Sequence, residues 1–140
     1  MDMRQITPTY FVSPQISPED AQAIKDAGFV RVICNRPDAE NPPELQANAI
    51  GEALRAAGLE FEILPLTHQT MTSENSELQT KLAQADGPVL AYCASGTRCT
   101  VIWALAQAGK LPVDDILDTA AQAGYDLAGM RPTLEAMAQQ

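Results

Sequence analysis

The chain has 140 residues, 46% hydrophobic and 19% charged, enough to bury a core in one domain spanning residues 1–140 without a disulfide staple. Nine Lys and Arg against eighteen Asp and Glu leave a net charge of −9, which repels phosphate backbones and anionic lipid, so neither nucleic-acid nor membrane partners are expected. Three cysteines, Cys34, Cys93 and Cys99, form no even framework, and no apolar run approaches the roughly 20 residues of a membrane span. The N-terminal residues lack the apolar stretch of a secretory signal, and free thiols in a reducing cytoplasm are expected.

Glycine and proline divide the chain into alternating strand-like and helix-like pieces. Tyr10 to Val12 reads as a short strand, and Ser17 with Pro18 opens a helix that runs to about Ala27. Gly28 caps it, and Phe29 to Cys34 is an apolar run suited to a buried strand. A second helix spans about Glu44 to Ala57, with a small-residue stripe of Leu45, Ala49, Ala53 and Ala56. Leu59 to Leu64 alternates apolar residues with Glu60 and Glu62, as an edge strand does. Pro65 to Thr72 is a loop, Ser73 caps a helix through about Ala85, and Val89 to Tyr92 has the composition of a central parallel strand. After Cys93 the period becomes helical, with Ile102, Leu105 and Ala106 at helical spacing up to Gly109, and Val113 to Ala123 and Pro132 to Ala138 read as two further helices. Alternating strands and helices predict an α/β fold: an open, mostly parallel sheet covered on both faces, with ligands at the carboxyl ends of its strands. The turns at Asn35 and Cys93 should share that rim.

Cys93-Ala94-Ser95-Gly96-Thr97-Arg98 joins a buried strand to a helix, where unpaired amides can converge on an anion. A sulfur there faces the positive helix end and an arginine, which lowers its pKa and makes Cys93 a nucleophile. Gly96 permits the tight turn, Arg98 offers a planar fork for two oxygens, and Ala94, Ser95, Gly96 and Thr97 contribute the loop amides. The alternative for Cys93 is a buried filler, since free cysteine is among the most buried residue types.

The run Val32 to Asp38, the central strand, the Cys93 to Arg98 loop and the closing Ala123-Gly124-Tyr125-Asp126-Leu127 together resemble the phosphatase-like domain of bacterial beta-lactamase-hydrolase-like proteins, a family grouped with the tyrosine and dual-specificity phosphatases. The resemblance implies a protein tyrosine phosphatase-like fold with four or five mostly parallel strands and helices on both faces. It also exposes departures. Such phosphatases place Arg six residues after the nucleophile, whereas Arg98 stands five after Cys93, a spacing similar to the rhodanese sulfurtransferase loop. The smaller cradle suits a terminal sulfur better than a phosphoryl group.

Phosphatases also draw a general acid from an Asp on another loop, but Pro65 to Thr72 contains His68 and no Asp. His68 could substitute or be a solvated loop residue; Asp38 is a second candidate acid, or an ordinary turn residue. Arg36 either binds the anion or pairs with Asp38 or Glu40. Cys99 stands where relatives carry Ser or Thr, and could trap Cys93 as a disulfide, receive a transferred sulfur or simply pack the helix. Cys34 is assigned to the core. Neither a metal site, for which ligand spacing is lacking, nor a cofactor is expected. The leading expectation is sulfane-sulfur transfer through a Cys93 persulfide, with a small anionic substrate or a thiol or persulfide as partner. Phosphate monoester hydrolysis through a cysteinyl-phosphate, and an anion- or redox-sensing module without turnover, are the alternatives.

Overall fold

The computed structural model describes residues 1–139. Five strands form one sheet in the spatial order β1-β2-β5-β3-β4: β1 (Arg4–Thr7), β2 (Tyr10–Ser13), β3 (Arg31–Cys34), β4 (Glu60–Ile63) and β5 (Val89–Tyr92). Every pairing except the β1–β2 hairpin is parallel. β1 is absent from the sequence reading because three of its four residues are polar and only Ile6 is buried. It is held by the turn, where the Thr7 hydroxyl accepts from the Thr9 and Tyr10 amides at 3.2 and 3.0 Å.

Among the described residues six α-helices cover the sheet: α1 (Ala21–Asp26), α2 (Ala47–Ala56), α3 (Ser73–Leu82), α4 (Thr97–Gln107), α5 (Val113–Gln122) and α6 (Arg131–Ala138). The side chains of β5 alternate between two cores, as the strand period demands. Val89 and Ala91, followed by Cys93, face a cluster built on α4, α5 and α6, while Leu90 and Tyr92 face one built on α1 and α2. Both faces are covered, as the mostly parallel arrangement requires.

Three local expectations change. The stretch expected as one helix from Glu44 is a 3-10 turn (Pro43–Leu45) followed by α2. The buried face of α2 is Ala47, Ile50, Gly51 and Leu54 rather than the small-residue stripe, because that phase puts both large side chains into the core and leaves Ala56 outside. The cap of α3 is Thr72 rather than Ser73, its side chain accepting from the Asn75 amide. As expected, β4 is an edge strand with only Phe61 buried, and β5 is central and wholly buried.

α3 buries polar residues, Ser76 and Gln79, instead of an apolar stripe. The Gln79 amide exchanges hydrogen bonds with Asn35, at 2.9 and 2.8 Å, and donates to the Tyr10 hydroxyl at 3.1 Å. Tyr10 in turn donates to the Cys99 carbonyl at 2.7 Å, and Asn35 to the Leu64 carbonyl at 2.8 Å. This buried chain ties α3 to the ends of β3 and β4 and to the first turn of α4. Removing one member strands the others without water. Gln79→Ala should therefore destabilise the fold by about 2–4 kcal/mol in urea unfolding, well beyond an ordinary surface change.

Candidate active site

Register aligns the strand ends: Tyr92 pairs with Ser13 and with Cys34, and Cys34 pairs with Ile63. The turns after β2, β3, β4 and β5 consequently open on one rim, including the expected pair at Asn35 and Cys93. Cys93 is the first residue beyond β5, and its amide donates to the Ser13 carbonyl at 3.4 Å. Gly96 then takes a φ of 92° and starts α4, whose first-turn amides have no partners within the helix.

The amides of Ser95, Gly96 and Cys99 act on the sulfur. The Gly96 N–H donates to Cys93 Sγ at 3.1 Å, and Cys93 is 0% exposed. A hydrogen bond from the Cys99 thiol and the amides of Cys99, Ser95 and Gly96 bring the Cys93 pKa down to about 5, against the upward push of burial. Burial, together with the Cys93 sulfur, drives the Cys99 thiol the other way, well above its ordinary value. Cys99 is thus a protonated donor beside an ionised acceptor. Cys34, buried on the opposite core, is also raised, chiefly by burial, and its thiol donates to the Arg36 carbonyl at 3.4 Å.

Arg98 reaches across to the turn after β3. Its terminal nitrogens hold both oxygens of Glu40, Nη1 to Oε2 at 2.8 Å and Nη2 to Oε1 at 2.7 Å, and Nη1 also donates to the Leu66 carbonyl at 2.9 Å. The Glu40 bond raises the Arg98 pKa, with the Cys93 sulfur adding to it, and Arg98 holds the Glu40 carboxyl below its usual range. Arg36 closes the cluster, its Nε 3.3 Å from Glu40 Oε1 and its Nη1 3.2 Å from Gln15 Oε1.

Of the residues expected at the site, the structure brings together Cys93, Ala94, Ser95, Gly96, Thr97, Arg98, Arg36 and Cys99. Arg36 takes the ion-pair alternative, with Glu40. Asp38 is exposed and occupied elsewhere: its Oδ1 accepts the Ala47 amide at 2.8 Å, capping α2. His68 is exposed in a turn, and Leu66, two residues earlier, is what touches Arg98. No cluster of three or more His, Cys, Asp or Glu suited to a metal occurs among the described residues, and no helix among them is long and apolar enough to cross a membrane. Sequence reading missed Glu40 as the carboxylate that takes the Arg98 fork, since 58 residues separate the two. Nor did it single out Tyr125, whose hydroxyl donates to the Ser95 carbonyl of the loop at 2.9 Å.

Cavities of about 450 and 210 Å³ flank α3 and are lined by none of the Cys93 to Arg98 residues. Charge and amide direction mark the chemical centre here, not concavity, because a thiolate needs converging donors more than volume.

Two outcomes follow. Cys99→Ala removes the thiol donor, so the midpoint of thiolate absorbance on titration should rise from about 5 by at least about one unit, and Cys99→Ser should restore most of the shift. Glu40→Gln breaks the two-point hold on Arg98 and should lower turnover efficiency about tenfold, with little change in melting temperature because the pair is partly exposed.

A family model for the "Beta-lactamase hydrolase-like protein, phosphatase-like domain" matches residues 2–110. A beta-lactamase hydrolase-like protein of Agrobacterium fabrum is 33% identical over 119 residues, which are 83% of this chain and 28% of that protein; a Xylella fastidiosa relative is 31% identical over 114 residues, 79% of this chain and 26% of that protein. The chain thus spans about a quarter of the curated relatives it matches. The solved structure of a candidate phosphatase from Neisseria meningitidis superposes with a TM-score of 0.88 at 34% identity, covering 98% of this chain and 99% of that one. PTPMT1, at 15% identity, gives a TM-score of 0.73 over 98% of this chain and 94% of its own, a likeness of fold. With the sheet order, the Cys93 loop and these matches in agreement, the chain belongs to the family of beta-lactamase hydrolase-like phosphatase-like domains and has the protein tyrosine phosphatase-like α/β fold.

Proposed function

We propose that this domain is a cysteine-dependent group-transfer enzyme that moves sulfane sulfur through a persulfide on Cys93. The observation that carries the reading is the size and occupancy of the cup: Arg98 five residues after an ionised Cys93, with the neighbouring amides already partly spent. The Thr97 N–H turns to the Ser95 hydroxyl at 3.3 Å, and the Gly96 N–H to the sulfur. A phosphoryl group brings three oxygens that need donors, whereas a terminal sulfur is a single atom.

Acid supply supports the same choice. An ester oxygen leaves poorly unless protonated, yet Asp38 is held as a helix cap and Glu40 lies in the Arg98 fork. Sulfite leaving from thiosulfate needs no such proton. In the first step the Cys93 thiolate attacks the outer sulfur of thiosulfate; a Cys93 sulfur–sulfur bond forms, the donor's sulfur–sulfur bond breaks, and its electron pair leaves with sulfite. In the second, an acceptor thiolate attacks the outer sulfur of the persulfide, leaves as a persulfide itself and returns Cys93 to the thiolate. The charge of Arg98, whose terminal nitrogens stay on Glu40, and the loop amides offset the negative charge at the sulfur through both steps. His68, exposed in the turn after β4, makes no contact with the Arg98 fork, and the sulfur route does not call on it.

Hydrolysis of phosphate monoesters through a cysteinyl-phosphate is the second reading, favoured by the fold and by the family. Incubation with thiosulfate followed by intact-mass measurement should show a gain of one sulfur atom that a small thiol removes, and Cys93→Ser should abolish the gain. Steady phosphate release from an aryl phosphate without sulfur uptake would put hydrolysis in its place. Neither product would leave an anion-sensing module.

A further inference from the structure

Three successive carbonyls of the Cys93 loop are held by donors outside it. Ala94 O accepts the Gln15 amide at 3.3 Å, Ser95 O accepts the Tyr125 hydroxyl at 2.9 Å, and Gly96 O accepts both the amide and the hydroxyl of Thr100, at 3.1 and 2.9 Å. In a trans peptide the carbonyl and the following N–H point in opposite directions. Pinning the Ser95 oxygen outward therefore turns the Gly96 N–H inward, where it lies 3.1 Å from Cys93 Sγ. Among the three pins the Tyr125 bond is the one made by a side chain alone.

Tyr125 is placed for this by features that have no other use in the site. It follows α5, where Gly124 takes a φ of 98° and the Tyr125 amide returns to the Ala120 carbonyl at 2.9 Å. Its ring is buried, with the Arg4 guanidinium carbon 5.1 Å from the ring centroid, and Arg4 is itself tied to the Ala123 carbonyl and to Asp2. The hydroxyl fills the hollow left by Gly96: a Cβ at position 96 would overlap it. Burial raises the phenol's pKa, so it remains a donor at neutral pH.

We propose that Tyr125 is a positioning residue of the reaction centre, one that acts through the Ser95–Gly96 peptide to aim the Gly96 amide at the Cys93 sulfur. This rests on Cys93 as the reacting thiolate, whichever group it transfers. The bland role for the same residue is packing, since its ring belongs to the core on the α4 side of the sheet. Tyr125→Phe separates the two, because it keeps the ring and the Arg4 stacking and deletes only the hydroxyl.

The test is the pH titration of thiolate absorbance in the wild type and in Tyr125→Phe, with Cys93→Ser as the blank and melting temperature measured on each. The midpoint in Tyr125→Phe should rise by about one unit, and persulfide formation from thiosulfate measured below that midpoint should slow about tenfold. An unmoved midpoint overturns the proposal, even when the melting temperature falls, since that pattern is packing alone. Should the wild type take no sulfur from thiosulfate, the transfer reading fails while the midpoint shift still stands, so the two failures are distinguishable.

Discussion

A buried ionised sulfur has no water to satisfy it, and the rest of this molecule is arranged around that constraint. Moving an ion of this size out of water costs several kcal/mol, so a thiolate persists at 0% exposure only where fixed donors replace the solvent. The donors here are backbone amides and one neighbouring thiol. Backbone amides cannot rotate away as long side chains do; their direction is set by the loop's dihedral angles. The ionisation of Cys93 is therefore a property of how β5 meets α4.

That meeting is fixed from several directions. β2 and β3 flank β5: the Cys93 amide donates to the Ser13 carbonyl of β2 at 3.4 Å, and the Asn35 amide, just beyond β3, donates to the Tyr92 carbonyl of β5 at 2.9 Å. From α3, Gln79 reaches through Tyr10 to the Cys99 carbonyl, so the base of the loop is tied both to the helix that precedes β5 and to β2, far from it in sequence. The side chains of Gln79, Asn35 and Tyr10 satisfy one another in this network, which is the condition under which buried polar groups rigidify instead of destabilising. The polar buried face of α3, odd for a helix on a sheet, is explained by this task.

Much of this was legible in the residues. The four apolar strands were visible from composition, and the loop from a nucleophile, a glycine and an arginine at a strand-to-helix junction, because these signals are local. What stayed hidden depends on partners distant in the chain. β1 carries almost no apolar pattern and exists through its hairpin. Asp38 reads as an acid on the rim until α2 is seen to begin nine residues later, with its first amide on that carboxylate. Arg36 and Arg98 both converge on Glu40, which nothing in its surroundings Pro37 to Asn41 marks as special. Phase decided α2: its alanines formed the tidier stripe, but burying Ile50 and Leu54 removes more apolar surface from water.

The same cluster bears on which group Cys93 would carry in the proposed transfer. With the thiolate ionised, Arg36 and Arg98 balance Glu40 and the sulfur, so the centre is neutral at rest. A persulfide keeps one negative charge on the outer sulfur and leaves that balance as it was. A cysteinyl-phosphate exchanges one negative charge for two, and the surplus would have to be held in a chain whose net charge is already −9. Glu40 occupies the terminal nitrogens of Arg98, so relief cannot come from that edge of the fork unless the ion pair opens. The resting charge arrangement therefore supports the proposed transfer of a group that leaves the charge of the centre unchanged, which is the electrostatic counterpart of the short cup.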